Sequence, residues 1–359
     1  MKKTLSFLLA LCMVFSLAAC GQQASAPAPT GGSSGAASSV EEPARSEVLT
    51  FKFGSNGSGN EDDPMGYPAR KFMETVEEKT NGMIQFEFYP GGQLGSEQDM
   101  LDQVVSDTLD SAMISSSVLA TVWEPLYFYS MPFAFGSIDE FWDICGIQND
   151  DLVTAMRNVV DGSGLAHFVA TFHTSPRGCQ NTKHEIRCAD DFIGLNFRVM
   201  SGEIYTDTFR ALGASTSTIA FAELFTSLQQ GVIDGEDCSA FFFKDNKYYE
   251  IEKYLTEINM IQNVAPLVFS NSAWEKLTDA EKEIIYEAAA LAEEESAATI
   301  TRMSGQVYQE LASEGVNIVR YSDLTEEGIA SFREAAFSVW DNFEDRIGSE
   351  LFAFLPERT

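Results

Sequence analysis

The chain has 359 residues with 54 acidic and 23 basic side chains, a formal net charge of −31, and 27 phenylalanines among its 45% hydrophobic residues. That charge argues against nucleic-acid binding, which needs clustered lysine and arginine to neutralise phosphates, while the apolar content suffices to fill more than one core.

Residues 1–20 read MKKTLSFLLALCMVFSLAAC. Lys2 and Lys3 precede an apolar run from Leu5 to Leu17, and small residues follow before Cys20. The run is too short and wrongly flanked for a stable membrane span, and reads as a secretory signal over 1–19. Leu17-Ala18-Ala19-Cys20 resembles the lipobox of bacterial lipoproteins, which implies cleavage before Cys20 and lipid attachment to it; an ordinary secretory signal cut nearby is the alternative. Loss of Lys2 and Lys3 lowers the charge by two, from −31 to −33. Residues 20–47 are rich in Gly, Ser, Ala and Pro and cannot bury a core, so they read as a flexible tether.

The roughly 310 residues from Val48 on are long for one core and suit two lobes. Val48–Phe53 alternates and reads as a strand, and Gly54–Asp63 as a loop. Pro64 opens a helix through Lys79, a second strand runs Met83–Tyr89, and Ser96 caps a helix to about Ser106. Leu109–Ser115 is a third strand, so the unit is β-α-β-α-β, which argues for a parallel sheet with helices on its faces. The pattern recurs in strands Leu165–Phe172 and Leu195–Met200, helices near Glu203–Leu212 and Phe221–Gln230, and a tight turn and short strand at Gly231–Gly235. The stretch Asp279–Ser313 has no proline and one glycine, Gly305, and reads as a single helix of about 50 Å at 1.5 Å per residue. Such a helix would brace two lobes.

From Tyr89-Pro90-Gly91-Gly92-Gln93-Leu94-Gly95-Ser96-Glu97 onward the chain resembles the DctP-type solute-binding proteins of TRAP (tripartite ATP-independent periplasmic) transporters. The resemblance continues through Met131-Pro132-Phe133, Arg177-Gly178-Cys179-Gln180-Asn181-Thr182-Lys183 and Gly194-Leu195-Asn196-Phe197-Arg198-Val199. It is densest from Arg210-Ala211-Leu212-Gly213-Ala214 to Leu228-Gln229-Gln230-Gly231-Val232-Ile233-Asp234-Gly235. It implies an α/β, two-lobed, periplasmic-binding-protein-like fold with a cleft between lobes. The function it implies is capture of a small carboxylate-containing solute or zwitterion and delivery to TRAP membrane subunits. Lobe one is expected at 48–173 plus 264–305, and lobe two at 174–263 plus 306–357. No cofactor is implied, and a monomer is expected. A lipid anchor suits a cell without an outer membrane, so the expected place is the outer face of a Gram-positive cell membrane.

Arg198 ends a short apolar run, and ligands of open α/β sheets bind beyond the carboxyl ends of strands. Its planar fork matches a carboxylate through two parallel hydrogen bonds, and the resemblance places the ligand-carboxylate arginine there. A salt bridge to Asp190, Asp191 or Glu203 is the competing reading. Arg177 matches a second arginine of the family, with a plain surface role as its alternative. Where relatives carry an asparagine in a D-G-Q-E-N pattern, this chain has Asp234-Gly235-Glu236-Asp237-Cys238, so Cys238 replaces the amide and Glu236 the glutamine. A thiol donates poorly, so one contact is lost or altered. Ser115, Trp123, Phe172 and Phe242 are candidate walls, each open to a core role instead, and Asp63 or Glu236 facing inward would suit a ligand amine.

His184 and Cys188 are spaced i, i+4, but no further His or Cys completes a metal site. A Cys179–Cys188 bridge competes with four free thiols at Cys145, Cys179, Cys188 and Cys238. No hydrolase elbow, zinc-protease pair or phosphate loop occurs. A binding protein without turnover is therefore the main reading; a surface-anchored enzyme on the same scaffold and a ligand-loaded sensor subunit are its rivals.

Overall fold

The computed structural model describes residues 45–358 apart from Glu61. The expected signal segment, tether and lipidated Cys20 lie outside the described residues. Ten strands form a mixed sheet: β1 (Leu49–Ser55), β2 (Ile84–Tyr89), β3 (Ser111–Met113), β4 (Ala166–Asn181), β5 (Asn196–Val199), β6 (Ser215–Thr218), β7 (Gly235–Ser239), β8 (Tyr254–Thr256), β9 (Gln262–Ser270) and β10 (Asn317–Val319). Their order is β2-β1-β3-β9-β4-β7-β5-β6, with β8 pairing both β4 and β10.

The first three strands pair in parallel, as their connecting helices require. The all-parallel expectation fails further along, because β9 runs antiparallel to β3 and β4, and β7 antiparallel to β4. β4 is also far longer than Leu165–Phe172. Its first part pairs with β9 as far as Pro176↔Gln262, and its last part pairs with β7 from Arg177↔Ser239. The sequence Ser175-Pro176-Arg177-Gly178 looks like a strand breaker; here proline sits where the strand changes partner, beside a register shift at His173/Ser175. One continuous strand thus runs through both halves of the sheet.

Local sequence rules explain most helix ends. Ser96 caps the Glu97–Val105 helix, its hydroxyl taking the Asp99 N–H while Asp99 reaches back, a reciprocal capping box. The early helix begins at Gly66, two residues after the expected Pro64. The Asp63 carboxylate holds the intervening turn by accepting the Met65 and Gly66 N–H groups at 2.8 and 2.6 Å.

The long helix spans Asp279–Ser313, with Thr278 and Glu281 as its capping box. It packs on the Gly66–Lys79 helix, on β4 and on the short Ala240–Asp245 helix, so it braces segments from both halves of the sheet. Phenylalanine fills the cores: Phe53, Phe72 and Phe86 pack together under β1 and β2, and Phe192, Phe197 and Phe209 under β5. Each buried ring contributes about 1.5–3 kcal/mol relative to exposure. Cys145, Cys179, Cys188 and Cys238 are all free thiols, so Cys179 and Cys188 are not bridged.

Candidate functional site

A cavity of about 250 Å3 lies where β4, β5, β7 and β9 meet the loops after β2, β3 and β6. β5 delivers Arg198 to it, β4 delivers Arg177 just past its change of partner, and β7 and the start of β9 deliver Cys238 and Asn263. Glu97 comes from the capped helix after β2, and Ser115 from the loop after β3.

The two arginines differ. Arg198 is only 3% exposed. Its Nε donates to the Ile219 carbonyl at 2.8 Å, which fixes the plane of the guanidinium. Among the described residues neither terminal nitrogen has a hydrogen-bond partner, and no carboxylate forms a salt bridge with it. The competing salt bridges do not form: Asp191 accepts the N–H groups of Arg187 and Cys188, and Glu203 pairs with Arg346. Arg177, by contrast, is occupied. Its Nε donates to Asp237 Oδ2 at 2.5 Å, Nη1 to Asn263 Oδ1 at 2.9 Å, and Nη2 to the Asp237 carbonyl. Burial works against the Arg177 charge, but Asp237 first, and Tyr205 with it, together outweigh burial and keep the guanidinium protonated.

Glu97 is the acid that lines the cavity. Its Oε1 accepts the Ser115 N–H at 3.1 Å and the Ser115 hydroxyl at 2.9 Å, so Ser115 is a wall that serves the carboxyl first. Burial raises the Glu97 pKa, while Ser115 and the two arginines oppose that rise. Sequence reading took Glu97 only as the start of a helix; its place at the end of the Pro90–Glu97 turn motif was the available signal.

Cys238 lines the cavity, but its thiol proton points to acceptors of its own wall, Glu236 Oε1 at 3.0 Å or the Ser239 carbonyl at 3.3 Å. Burial pushes the thiol well above its usual range, so it is neutral. Phe242 forms an apolar wall together with Phe221, which sequence reading did not select.

Four expected residues do not line the cavity. Glu236 is fully buried behind Cys238. Asp63 is consumed by the turn before the Gly66–Lys79 helix, where three backbone N–H groups take both its oxygens. Trp123 belongs to the core, its Nε1 donating to the Ser163 hydroxyl at 2.9 Å, and Phe172 is buried in the other core cluster. Large aromatic rings satisfy burial more readily in the core than at a wet wall, and no sequence pattern separates the two.

A second cavity of about 390 Å3 lies where the long helix, Pro176 and Arg320 meet, but its arginine is paired with Glu257 at 2.7 Å. Among the described residues no group of three or more His, Cys, Asp or Glu is placed to hold a metal ion.

A two-lobed α/β fold whose strand ends present a buried guanidinium, its two terminal nitrogens free, to a cavity defines a solute-binding protein. The chain belongs to the bacterial extracellular solute-binding proteins of family 7, the DctP family, whose model matches residues 55–346. It is 27% identical to the C4-dicarboxylate-binding periplasmic protein DctP of Shewanella loihica over 295 residues, covering 81% of this chain and 84% of that one. It is 25% identical to the sialic acid-binding periplasmic protein SiaP of Vibrio cholerae over 80% of this chain and 86% of that one. Among solved structures, a TRAP periplasmic solute-binding protein from Polaromonas bound to D-erythronate superposes with a TM-score of 0.76 at 25% identity, covering 85% of this chain and 98% of that one.

Proposed function

We propose that this protein is the extracytoplasmic, membrane-anchored receptor of a TRAP transporter, and that it takes a small hydroxylated monocarboxylate onto Arg198. The observation that carries this reading is the unpartnered Arg198 fork. A bidentate carboxylate would satisfy both terminal nitrogens and neutralise a buried charge at once. Arg177 already has its countercharge in Asp237, so a second carboxylate on the same solute would find no free cation among these two. Ser201, Thr218 and Gln98 line the cavity and suit solute hydroxyls, with Glu97 accepting from one of them. At about 250 Å3 the cavity lies just below the usual range of ligand pockets, about 300–1,000 Å3, which favours a small acid.

The change of partner within β4 between Pro176 and Arg177 supports lobe boundaries near 173/174 and 263/264. The lipobox-like Leu17–Cys20 and the tether to residue 47 support a lipid anchor on a Gram-positive cell surface, with the protein working as a monomer without turnover.

The test is thermal unfolding of residues 44–359 against aldonates, hexuronates, keto acids, dicarboxylates and zwitterions, followed by mass spectrometry of the recovered solute. Stabilisation by hydroxylated monocarboxylates, recovered unaltered, is the expected result. Preference for a dicarboxylate would refute the single-clamp argument, and a chemically altered solute would restore the enzyme reading.

A further inference from the structure

The buried charges around the cavity do not balance. Arg177 and Arg198 are the cations; Glu97, Glu236 and Asp237 are the buried acids beside them, and the buried Glu252 lies beside Glu236. With every group ionised, four negative charges face two positive ones, and an anionic solute would add another. Two of the acids are poorly supported as anions. Glu236 and Glu252 are both fully buried, neither Glu252 oxygen has any partner, and Glu236 has only the Cys238 thiol on one oxygen. An isolated carboxylate in such a place is strongly disfavoured and takes a proton instead.

The pair is wired to the solute site through the sheet. Glu236 on β7 is the register partner of Arg198 on β5 and of Gln180 on β4, and Glu252 precedes β8, the other neighbour of Gln180. Around the pair stand Asp237 and Cys238 on β7, Arg177 and Cys179 on β4, Arg198 on β5 and Tyr248 before Glu252, with Tyr308 on the long helix beside Cys238. Burial keeps both thiols and both phenols neutral, and Asp237 cancels Arg177. Arg198 is therefore the uncompensated charge that the pair feels.

We propose that Glu236 and Glu252 form a proton-binding site beneath the cavity, and that an anionic solute and one proton bind together. The proposal rests on Arg198 taking the solute's carboxylate. In the empty site the Arg198 charge favours ionised Glu236. A carboxylate on Arg198 cancels that field, so the pair draws a proton from the solvent. Burial pushes the Glu236 carboxyl up to about 7 and Glu252 well above the carboxylate range. Below that pH the pair holds its proton in both states and affinity is flat. Above it, binding takes up as much as one proton, and affinity falls by up to about tenfold per pH unit until the occupied site also deprotonates. Burial holds His173 down at about 4, so it stays neutral throughout.

The experiment is calorimetric titration with D-erythronate, D-glucuronate, succinate and sialic acid in buffers of different ionisation enthalpy, from about pH 6 to pH 9. Uptake approaching one proton in the wild type, lost in Glu236→Gln or Glu252→Gln, is the expected result. No uptake with a bound probe overturns the proposal. So does uptake that survives both substitutions, or that vanishes in Glu97→Gln while surviving in both. Infrared spectroscopy of the solute-free protein separates this from the assignment of the solute. If none of the four acids binds, a protonated buried-carboxyl band that disappears in the two variants still supports the site, and absence of that band overturns it.

Discussion

Arg198→Ala tests the clamp most directly. The fork has two terminal nitrogens free in the cavity, and each charge-assisted hydrogen bond contributes about 1.5–3 kcal/mol. Losing both therefore costs about 3–6 kcal/mol of binding, on the order of a hundred- to ten-thousand-fold in Kd. The fold should survive. Removal orphans only the Ile219 carbonyl among its hydrogen-bond partners, at about 1–3 kcal/mol, and breaks no salt bridge among the described residues. Arg198→Lys keeps the charge without the fork and should fall between wild type and alanine. Calorimetry with the acid that stabilises the wild type measures the loss, and circular dichroism checks the fold. A folded Arg198→Ala whose Kd changes less than about threefold refutes the reasoning, since so small a shift is under about 1 kcal/mol.

Arg177→Ala should act on stability, because it strands the buried Asp237 carboxylate; a loss of about 3–5 kcal/mol is expected by denaturant titration, and a loss under about 1 kcal/mol would mean the pair is not structural. Glu293 on the long helix is buried against the Ile147 N–H, and burial pushes it up to about 8. Its folded pKa lies above the unfolded value, so its contribution to stability falls as pH rises from about 4.5 toward 8, by about 1.4 kcal/mol per unit. Glu293→Gln should flatten that slope in melts run across the range, and an unchanged slope would assign it to other groups. Gly305 lies inside the long helix, where an added Cβ meets nothing within 4 Å. Gly305→Ala should therefore raise stability by about 1 kcal/mol through helix propensity alone, and a lower melting temperature would point to a need for glycine in another conformation.

Much of the fold was legible locally. The long helix was readable end to end because its pattern has no breaker and its start carries the Thr278–Glu281 capping signal. The β-α-β-α-β opening was readable because short connections and alternating strands are properties of neighbouring residues. β4 was not, since Pro176 and Gly178 argue locally for a break. Only its flanking strands, β9 and β7, make one extended path the better use of its hydrogen bonds. β6 was missed for the opposite reason: Ser-Thr-Ser-Thr carries no apolar face and becomes a strand by pairing with β5.

The candidate site divides in the same way. Sequence by itself determined which residue types stood at strand ends and turns, and thereby drew attention to Arg177, Arg198 and the departures at Glu236 and Cys238. Tertiary structure alone decided that Arg177 is occupied while Arg198 is not, because Asp237 and Asn263 reach Arg177 from 60 and 86 residues away. It also turned Glu97 into the cavity and brought Glu236 and Glu252 together, both fully buried. Coulombic and hydrogen-bond energies depend on distance and burial, and folding sets both between residues that the sequence keeps far apart.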